Sequence, residues 1–375
     1  MRYFDFYITD ERECKHMNIN DIIIYIMTVF MAIGVLDRIF GNKLGYGDKF
    51  EEGIMSMGPL AISMIGAISL APVFSNIFSP MIIPVYNFFG ADPSVFAGTI
   101  FPSDMGGYPL AVMLANNEKF IQFSGVILAT MMGSTLIFTI PVGLRIIKEK
   151  DRIFLAKGVL AGMIAIPAGA FIGGLLLGLG AMEIIKNLVP AILFSLLISA
   201  GLIFAQSKLV KAFIYFGKFI TSLILMGLSA IIIETLTGIV IIPGMAPLSD
   251  GINAVGSVGI ILAGAYPLVH FITKIFKNAL IKTGSILGIG EVAVTGMVAC
   301  LANNIPMLCM LKDMDDRGKV ISVAFAVGAS FVFGDYLGYV AVVNKDAISA
   351  MIAAKLITGI VAVIIAYMIT RKSDI

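Results

Sequence analysis

The sequence predicts an all-α polytopic integral membrane protein. Of its 375 residues, 59% are hydrophobic and only 13% are charged, whereas about 25% of a soluble domain is charged. The mean hydropathy is +0.99, and several apolar runs reach the ~20 residues that cross ~30 Å of hydrocarbon. This composition excludes an ordinary soluble enzyme and a disordered chain. Short alternating strands, the pattern of a transmembrane barrel, do not occur.

Residue counts exclude further classes of protein. A net charge of +2 argues against a nucleic-acid partner, and the 2 His and 3 Cys lack metal-ligand spacing. No phosphate-binding GxxxxGK[ST] motif occurs. We therefore expect no enzyme activity and no cofactor. The first apolar run, residues 22–40, is too long for a cleavable signal peptide.

Eleven apolar runs follow one another along the chain, and two of them are interrupted. The runs are 20–40, 53–78, 93–117, 121–145, 153–180, 183–205, 212–241, 252–273, 283–311, 319–342 and 347–369. The third is broken by Pro and Gly at 101–109, and the ninth by Gly at 288–291. Non-helical backbone at membrane depth is tolerated only where protein or a wet cavity surrounds it. The stretch 79–92, with Pro80 and Pro84, reads as a short connector.

The chain also repeats itself. The sequence Leu-Ala-Asn-Asn at 114–117 recurs at 301–304, an offset that places Asp104 near Glu291. Glu52-Gly53 recurs as Asp250-Gly251. These matches predict a first repeat over residues 17–180, a linking helix over 181–206 and a second repeat over 207–375.

The basic clusters give the two repeats opposite orientations. When the clusters are placed in the cytoplasm, residues 93–117 and 283–311 become re-entrant helical hairpins, and about nine other runs become full transmembrane helices. An inverted repeat of this kind is typical of secondary transporters, whose substrate sites lie at broken helices near the midplane. Residues 1–16 are polar and fit the topology badly, so we interpret them as a surface tail or as an upstream misread start.

Ionisable groups at membrane depth are functional candidates by default. Four acids qualify: Asp104 and Glu291 at the two interruptions, Asp335 inside the run 319–342, and Glu234 deep in the run 212–241. Each could instead be paired with a base or capped by backbone. Buried acids outnumber buried bases, which indicates a cationic substrate or coupling ion. Lys355 is deep enough to pair with one of the acids.

Neutral and aromatic residues beside these acids complete the candidate site. Aromatic rings attract ammonium groups, although most rings in such a chain serve packing. The amides at the matched ends of the hairpin arms either line the site or cap helices. The further candidates are Ser103, Tyr108, Asn116, Asn303, Asn304 and Tyr336, with Tyr266 and Tyr339 as additional rings.

Several motifs resemble the ethanolamine-utilisation membrane protein, or ethanolamine permease, family. The similarity runs from about Met17 to the end of the chain and supports Met17 as the family-like start. The motifs are FEEG at 50–53, PSVFAGT at 93–99, DMGG at 104–107, LANNIPM at 301–307, MDDRGKV at 314–320 and GDYLG at 334–338.

The resemblance implies a permease in the bacterial cytoplasmic membrane that imports ethanolamine as a carbon and nitrogen source. By motif match, Asp104 and Asp335 are the expected substrate-binding acids, whereas Glu291 departs from the family pattern, which has a neutral amide nearby. Two alternatives remain: the membrane subunit of a decarboxylase-type sodium pump, and a passive ethanolamine channel. The coupling ion, H⁺ or Na⁺, and the oligomeric state, a homo-oligomer included, are left open.

Overall fold

A computed structural model describes residues 18–371, without the side chains of 202–203, 206–207, 210, 276–283 and 285. The expectation for residues 1–16 lies outside the described residues. In the described part the chain is helical and contains no strand. The helices in chain order are α1 (Ile19–Ile39), α2 (Tyr46–Met55), α3 (Met57–Phe88), α4 (Val95–Ile100), α5 (Gly107–Leu114), α6 (Glu118–Ile146), α7 (Arg152–Leu176), α8 (Ala181–Phe204), α9 (Gln206–Thr237), α10 (Leu248–Leu287), α11 (Glu291–Cys300), α12 (Asn304–Met310), α13 (Asp316–Ala329), α14 (Asp335–Val343) and α15 (Ile348–Arg371).

Eight helical segments of the described chain are long and apolar enough to cross a membrane. They are α1, α2 with α3, α6, α7, α8, α9, α10 and α15. Each remaining apolar run consists of two short helices: α4 with α5, α11 with α12, and α13 with α14. The sequence predicted the break between α4 and α5 but not the one between α11 and α12. It also treated 319–342 as a continuous span, and this run is broken between Ala329 and Asp335.

Helix α3 corrects the connector expected at 79–92. The helix continues through Pro80 and Pro84 and ends at Phe88. A proline removes one helical hydrogen bond, but neighbouring hydroxyl groups make prolines tolerable in transmembrane helices. The hydroxyl of Ser79 donates a 2.6 Å hydrogen bond to the carbonyl of Ser75. The prolines therefore mark an irregular helix and not its end.

The interruption expected at 288–291 is present, and it ends the long helix α10. Helix α10 extends to Leu287, the chain turns at Gly288 with φ +64°, and α11 begins at Glu291. A second break in this run, which the sequence did not predict, falls at 301–303 between α11 and α12. The first Leu-Ala-Asn-Asn motif, in contrast, follows α5. Asn117 and Asn303 each cap a helix with the side chain, so the repeated motif reports helix starts, which favour Asn, and not equivalent positions in the two breaks.

The centre of the molecule is formed around α6, which packs against α4, α5, α7, α13 and α15. In an 18-residue apolar window of α6, 89% of the residues are buried, against 17% in α1 and 28% in α9. Helix α6 is widened to π geometry over Gln122–Gly133 and Thr135–Thr139. Such widening is rare in proteins, but where it occurs it is often at a functional site. Helices α1 and α9 form the periphery.

Two contacts at backbone distance bring the peripheral helices against the interior. A Cβ placed on Gly264 of α10 would lie 2.3 Å from the carbonyl oxygen of Met27 in α1. A Cβ placed on Gly66 of α3 would lie 2.2 Å from the carbonyl oxygen of Ile224 in α9. Both glycines are required because no side chain fits at these crossings. In both contacts a glycine of one helix lies against a backbone carbonyl of another helix.

Candidate functional site

The first break, between α4 and α5, is fixed to the widened helix α6. Ser103 is fully buried, and its hydroxyl donates a 2.6 Å hydrogen bond to the carbonyl of Gly125. Asp104 follows in a single 3₁₀ turn, and Gly106, with φ +105°, is the N-cap residue of α5. Only glycine adopts this φ without strain. The turn directs Asp104 away from the regular helices on either side.

The other two breaks are joined to each other through their backbones. The amide of Phe331 donates to the carbonyl of Cys300 at 2.8 Å, and the amide of Phe333 donates to Leu301 at 3.0 Å. A Cβ on Gly334 would lie 2.0 Å from the carbonyl oxygen of Ala302. These bonds satisfy backbone groups that a broken helix leaves open, as non-helical chain inside a membrane requires.

Phe331 itself has a strained backbone. Its φ is +61°, in the left-handed region that costs a bulky residue about 1–3 kcal/mol and that clusters at binding sites and switches. Its ring packs edge-on against Tyr336, with the centroids 5.5 Å apart, and against Phe138 of α6 at 5.3 Å. The strain is therefore held by packing between α6 and the break from α13 to α14.

One small cavity lies where the first and third breaks meet. Its volume is about 40 Å³, enough for about three water molecules. The structure brings three of the sequence candidates to this cavity, Asp104, Asp335 and Tyr336. The complete lining is Pro102, Asp104, Met105, Phe138, Phe331, Asp335 and Tyr336.

The two carboxylates of this cavity have different surroundings. Oδ1 of Asp335, the first residue of α14, accepts a 2.8 Å hydrogen bond from the hydroxyl of Tyr266 in α10. Oδ1 of Asp104 is buried and has no hydrogen-bond partner. A buried polar atom without a partner is costly. An ammonium ligand would satisfy it, so the cavity is suited to a small organic cation.

Tyr108 lies beside this cavity and not in its wall. Its hydroxyl donates a 3.0 Å hydrogen bond to the carbonyl of Val343, and its ring meets Tyr339 edge-on at 6.3 Å. Both tyrosines line a second, smaller cavity of about 20 Å³. The Tyr339 hydroxyl is buried without a partner. Tyr339 lies one helical turn after Asp335 and Tyr336 in α14, so this half-helix faces both cavities.

The asparagines occupy positions away from the lining of the Asp104–Asp335 cavity. Asn116 is exposed and donates from its side-chain amide to Oδ2 of Asp92 at 2.8 Å. Asn303 caps α12 by accepting from the amide of Ile305 at 2.9 Å. Asn304 is fully buried and donates to the hydroxyl of Thr139 at 3.2 Å. Its Oδ1 has no partner, so of the three it alone retains a buried, unused acceptor.

Glu234 and Glu291 are not placed at the cavity. Glu234 was expected deep in a span, but α9 ends at Thr237, so the residue lies in the last helical turn. Glu291 is exposed and is the first residue of α11, where a carboxylate is stabilised by the helix dipole. Hydropathy gives the extent of an apolar run and not the ends of its helix, so it did not show that Glu234 lies in a last helical turn.

Sequence reasoning missed the structural role of the carboxylate of Asp92. Asp92 is 4% exposed and links the two ends of the first broken run, residues 93–117. Its Oδ1 accepts from the amide and hydroxyl of Ser94, and its Oδ2 accepts from the amide and side chain of Asn116. Its own amide donates to Asn187 of α8 at 2.7 Å. An Asp-Pro-Ser sequence before a helix is a capping signal, and it was available in the sequence.

Lys355 was expected to be deep enough to pair with an acid, and it forms no ion pair with a described acid. It is fully buried on α15, and its Nζ donates to the carbonyl of Thr130 at 2.7 Å. The same Nζ lies 5.0 Å from the centroid of the Tyr336 ring. Among the described residues, no group of His, Cys, Asp and Glu side chains is arranged to hold a metal ion.

Eight helical segments long and apolar enough to cross a membrane, with buried acids at helix breaks between them, define a multi-pass integral membrane protein. The chain belongs to the ethanolamine utilisation protein EutH family, whose sequence profile matches residues 19–369. This match confirms the resemblance drawn from the motifs. No solved structure matches the chain significantly.

Three curated relatives cover almost the whole chain. The probable ethanolamine permease EutH of Listeria monocytogenes serotype 1/2a is 52% identical over 95% of both chains. The uncharacterized protein YxeR of Bacillus subtilis is 46% identical over 92% of this chain and 94% of its own. The probable ethanolamine permease EutH of Escherichia coli K12 is 42% identical over 96% and 97%. Two of these proteins are named as permeases and none as an enzyme.

Proposed function

We propose that this protein is a permease that imports ethanolamine across the bacterial cytoplasmic membrane. The observation that carries the proposal is that Asp104 and Asp335 line one cavity where broken helices meet. The names of the relatives supply the substrate. The amine of ethanolamine, like that of lysine with a pKa of about 10, is protonated at neutral pH, and such a cation crosses lipid poorly.

The ammonium group would bind between the two carboxylates. The unpartnered Oδ1 of Asp104 accepts one N–H, and the carboxylate of Asp335, oriented by Tyr266, accepts another. The ring of Tyr336 adds a cation–π contact. Charge-assisted hydrogen bonds of this kind are about twice as strong as neutral ones. Ser103 serves this site indirectly, since its hydroxyl is used to fix the first break.

Inverted repeats would relate the two halves of the protein, with 181–206 as the linking helix. The reciprocal glycine contacts support this proposal. Met27 and Ile224 are 197 positions apart, Gly66 and Gly264 are 198 apart, and each glycine meets the carbonyl from the opposite half. A two-fold axis in the membrane plane exchanges such pairs. On this basis α4 with α5 and α11 with α12 are re-entrant hairpins, and α13 with α14 is the ninth span.

Polar contacts at opposite ends of α6 fit alternating access. At one end the side-chain amide of Gln122 donates to Asn344 at 3.1 Å. At the other end, after α6, Lys319 and Asp151 form a buried ion pair at 2.9 Å. The 29 residues of α6 would span about 43 Å as a regular α-helix at 1.5 Å per residue, and they span less with the widened turns. Each contact would close one face of the site, and the basic residues near Lys319 favour a cytoplasmic position for that end.

Transport by purified protein in proteoliposomes tests this function. We expect saturable uptake of labelled ethanolamine, stimulated by unlabelled ethanolamine trapped inside, and none in empty vesicles. Uptake equal to that of empty vesicles would refute the permease. Saturable uptake without counterflow stimulation would indicate a channel. Imposed H⁺ and Na⁺ gradients, applied separately, identify a coupling ion.

A further inference from the structure

Lys355 is the buried base nearest to the proposed substrate cavity, and the mechanism above does not use it. Its Nζ contacts the carbonyl of Thr130 in α6 at 2.7 Å and the ring of Tyr336 in α14 at 5.0 Å. No described carboxylate lies within ion-pair distance of this nitrogen. An ammonium group buried without a counter-charge is costly, and inside a membrane protein it marks a function.

The contacts of Lys355 tie its charge to the cavity. Tyr336 lines the cavity together with Asp104 and Asp335, so one aromatic ring separates the lysine from the two carboxylates. Thr130 belongs to the widened part of α6, which also holds the first break through Gly125. The lysine is therefore fixed against the same helix that anchors the break containing Asp104.

We propose that Lys355 is a resident cation that makes the Asp104–Asp335 cavity specific for one singly charged ammonium ligand. The inference rests on the proposed function and adds a rule of specificity to it. Asp104, Asp335 and Lys355 carry one net negative charge between them. One ethanolammonium ion neutralises these three groups, whereas a dication or a second small cation would leave them with a net positive charge.

The size of the effect follows from Coulomb's law. At an effective dielectric constant of about 20, a unit charge ~10 Å away changes the affinity for a second unit charge roughly 15-fold. A ligand with two charges is penalised by roughly the square of that factor. Lys355 therefore disfavours a diamine against a monoamine by roughly 15-fold.

Two probes of the same length separate this charge rule from ligand size. 3-Aminopropan-1-ol carries one ammonium group and 1,3-diaminopropane carries two, and each is added as a competitor of labelled ethanolamine uptake. In the unmodified protein we expect the amino alcohol to compete better than the diamine. In Lys355→Met we expect the ratio of the two inhibition constants to shift roughly 15-fold towards the diamine.

Two further variants control the experiment. Lys355→Arg keeps the charge and should keep the ratio near that of the unmodified protein. Lys157→Met removes a half-buried lysine of α7 and should also leave the ratio unchanged. A mere loss of packing at position 355 would lower uptake without changing the preference between the two probes.

An unchanged ratio in folded Lys355→Met, with ethanolamine uptake intact, overturns the charge rule alone. If Lys355→Met does not fold, the unmodified protein decides: equal competition by the two probes overturns the rule, and preference for the amino alcohol supports it. Absence of ethanolamine uptake by the unmodified protein overturns the proposed function itself. The two failures are therefore distinguishable.

Discussion

The hydroxyl of Tyr266 in α10 donates a 2.8 Å hydrogen bond to Oδ1 of Asp335 at the start of α14. The two residues are 69 positions apart, so the long helix α10 orients a carboxylate that lies at a helix break. Tyr266→Phe removes this donor and leaves the shape of the side chain. A hydrogen bond to a charged group contributes about 1.5–3 kcal/mol.

We expect Tyr266→Phe to raise KM for ethanolamine at least tenfold, with the amount of folded protein unchanged. Initial uptake rates over a range of concentrations measure this. Tyr215→Phe is the matched control, because Tyr215 is 69% exposed on α9. Equal KM values for Tyr266→Phe and the unmodified protein would show that the hydrogen bond does not orient the site.

Removal of either carboxylate charge should abolish transport. In Asp104→Asn or Asp335→Asn the ammonium loses a charge-assisted hydrogen bond worth about 3 kcal/mol, so uptake should fall at least 100-fold. Asp313→Asn, at an exposed position near α13, is the control. Size-exclusion profiles in detergent confirm folding. Normal uptake by Asp335→Asn would move the site elsewhere.

The break between α13 and α14 should not tolerate a side chain at Gly334. A Cβ there would lie 2.0 Å from the carbonyl oxygen of Ala302, and overpacking of this kind costs about 1–3 kcal/mol. Gly334→Ala should displace Asp335 and lower uptake at least tenfold. In contrast, Gly256→Ala should be neutral, because nothing lies within 4 Å of the added Cβ. Equal loss in both variants would contradict this explanation.

The buried pair of Lys319 and Asp151 should be required for stability. Lys319 is 7% exposed and Asp151 is 1% exposed. Lys319→Met leaves a buried carboxylate without a counter-charge, which costs about 3–5 kcal/mol. The apparent unfolding temperature in detergent should fall, and Asp151→Asn in the same chain should recover at least half of the loss. Lys312→Met, at an exposed position, is the control; no recovery in the double variant would refute the pairing argument.

The proposed orientation can be measured by cysteine labelling. In a chain with Cys14 and Cys309 replaced by serine, Glu118→Cys should react with a membrane-impermeant maleimide in intact cells. Asp313→Cys should react only after the membrane is opened. Both positions are exposed and lie on opposite sides in the inverted topology. Labelling of both in intact cells would disprove it.

The sequence predicted the acids of the cavity better than the geometry around them. Asp104 and Asp335 stood out because charge is scarce in apolar runs, and both line the cavity. The break at Phe331 was missed, since its positive φ depends on the ladder to Cys300 and Leu301, which is contact between distant segments. Hydropathy records burial and contains no information about such pairing.

Some of the predicted helix boundaries were wrong for a related reason. In water, prolines such as Pro80 and Pro84 commonly end a helix, because solvent binds the carbonyl groups that they free. In α3, which lies in the membrane, no other backbone structure satisfies those groups better than a helix, so the helix continues. The widening of α6 leaves no trace in composition, because the same apolar residues form either helix. Asn116 and Asn303 occupy the same position in the two Leu-Ala-Asn-Asn motifs, yet Asn116 binds the carboxylate of Asp92 and Asn303 caps a helix.

The burial of α6 has a consequence for how the protein is made. This helix is apolar enough to enter the bilayer as soon as it is synthesised, yet 89% of its apolar window is covered by protein in the finished molecule. Its neighbours include α13 and α15, the latter the last described helix of the chain. Lipid around α6 must therefore be exchanged for protein after the C-terminal helices have been inserted. A chain that stops before them would leave its central helix facing lipid, exposed to membrane quality control.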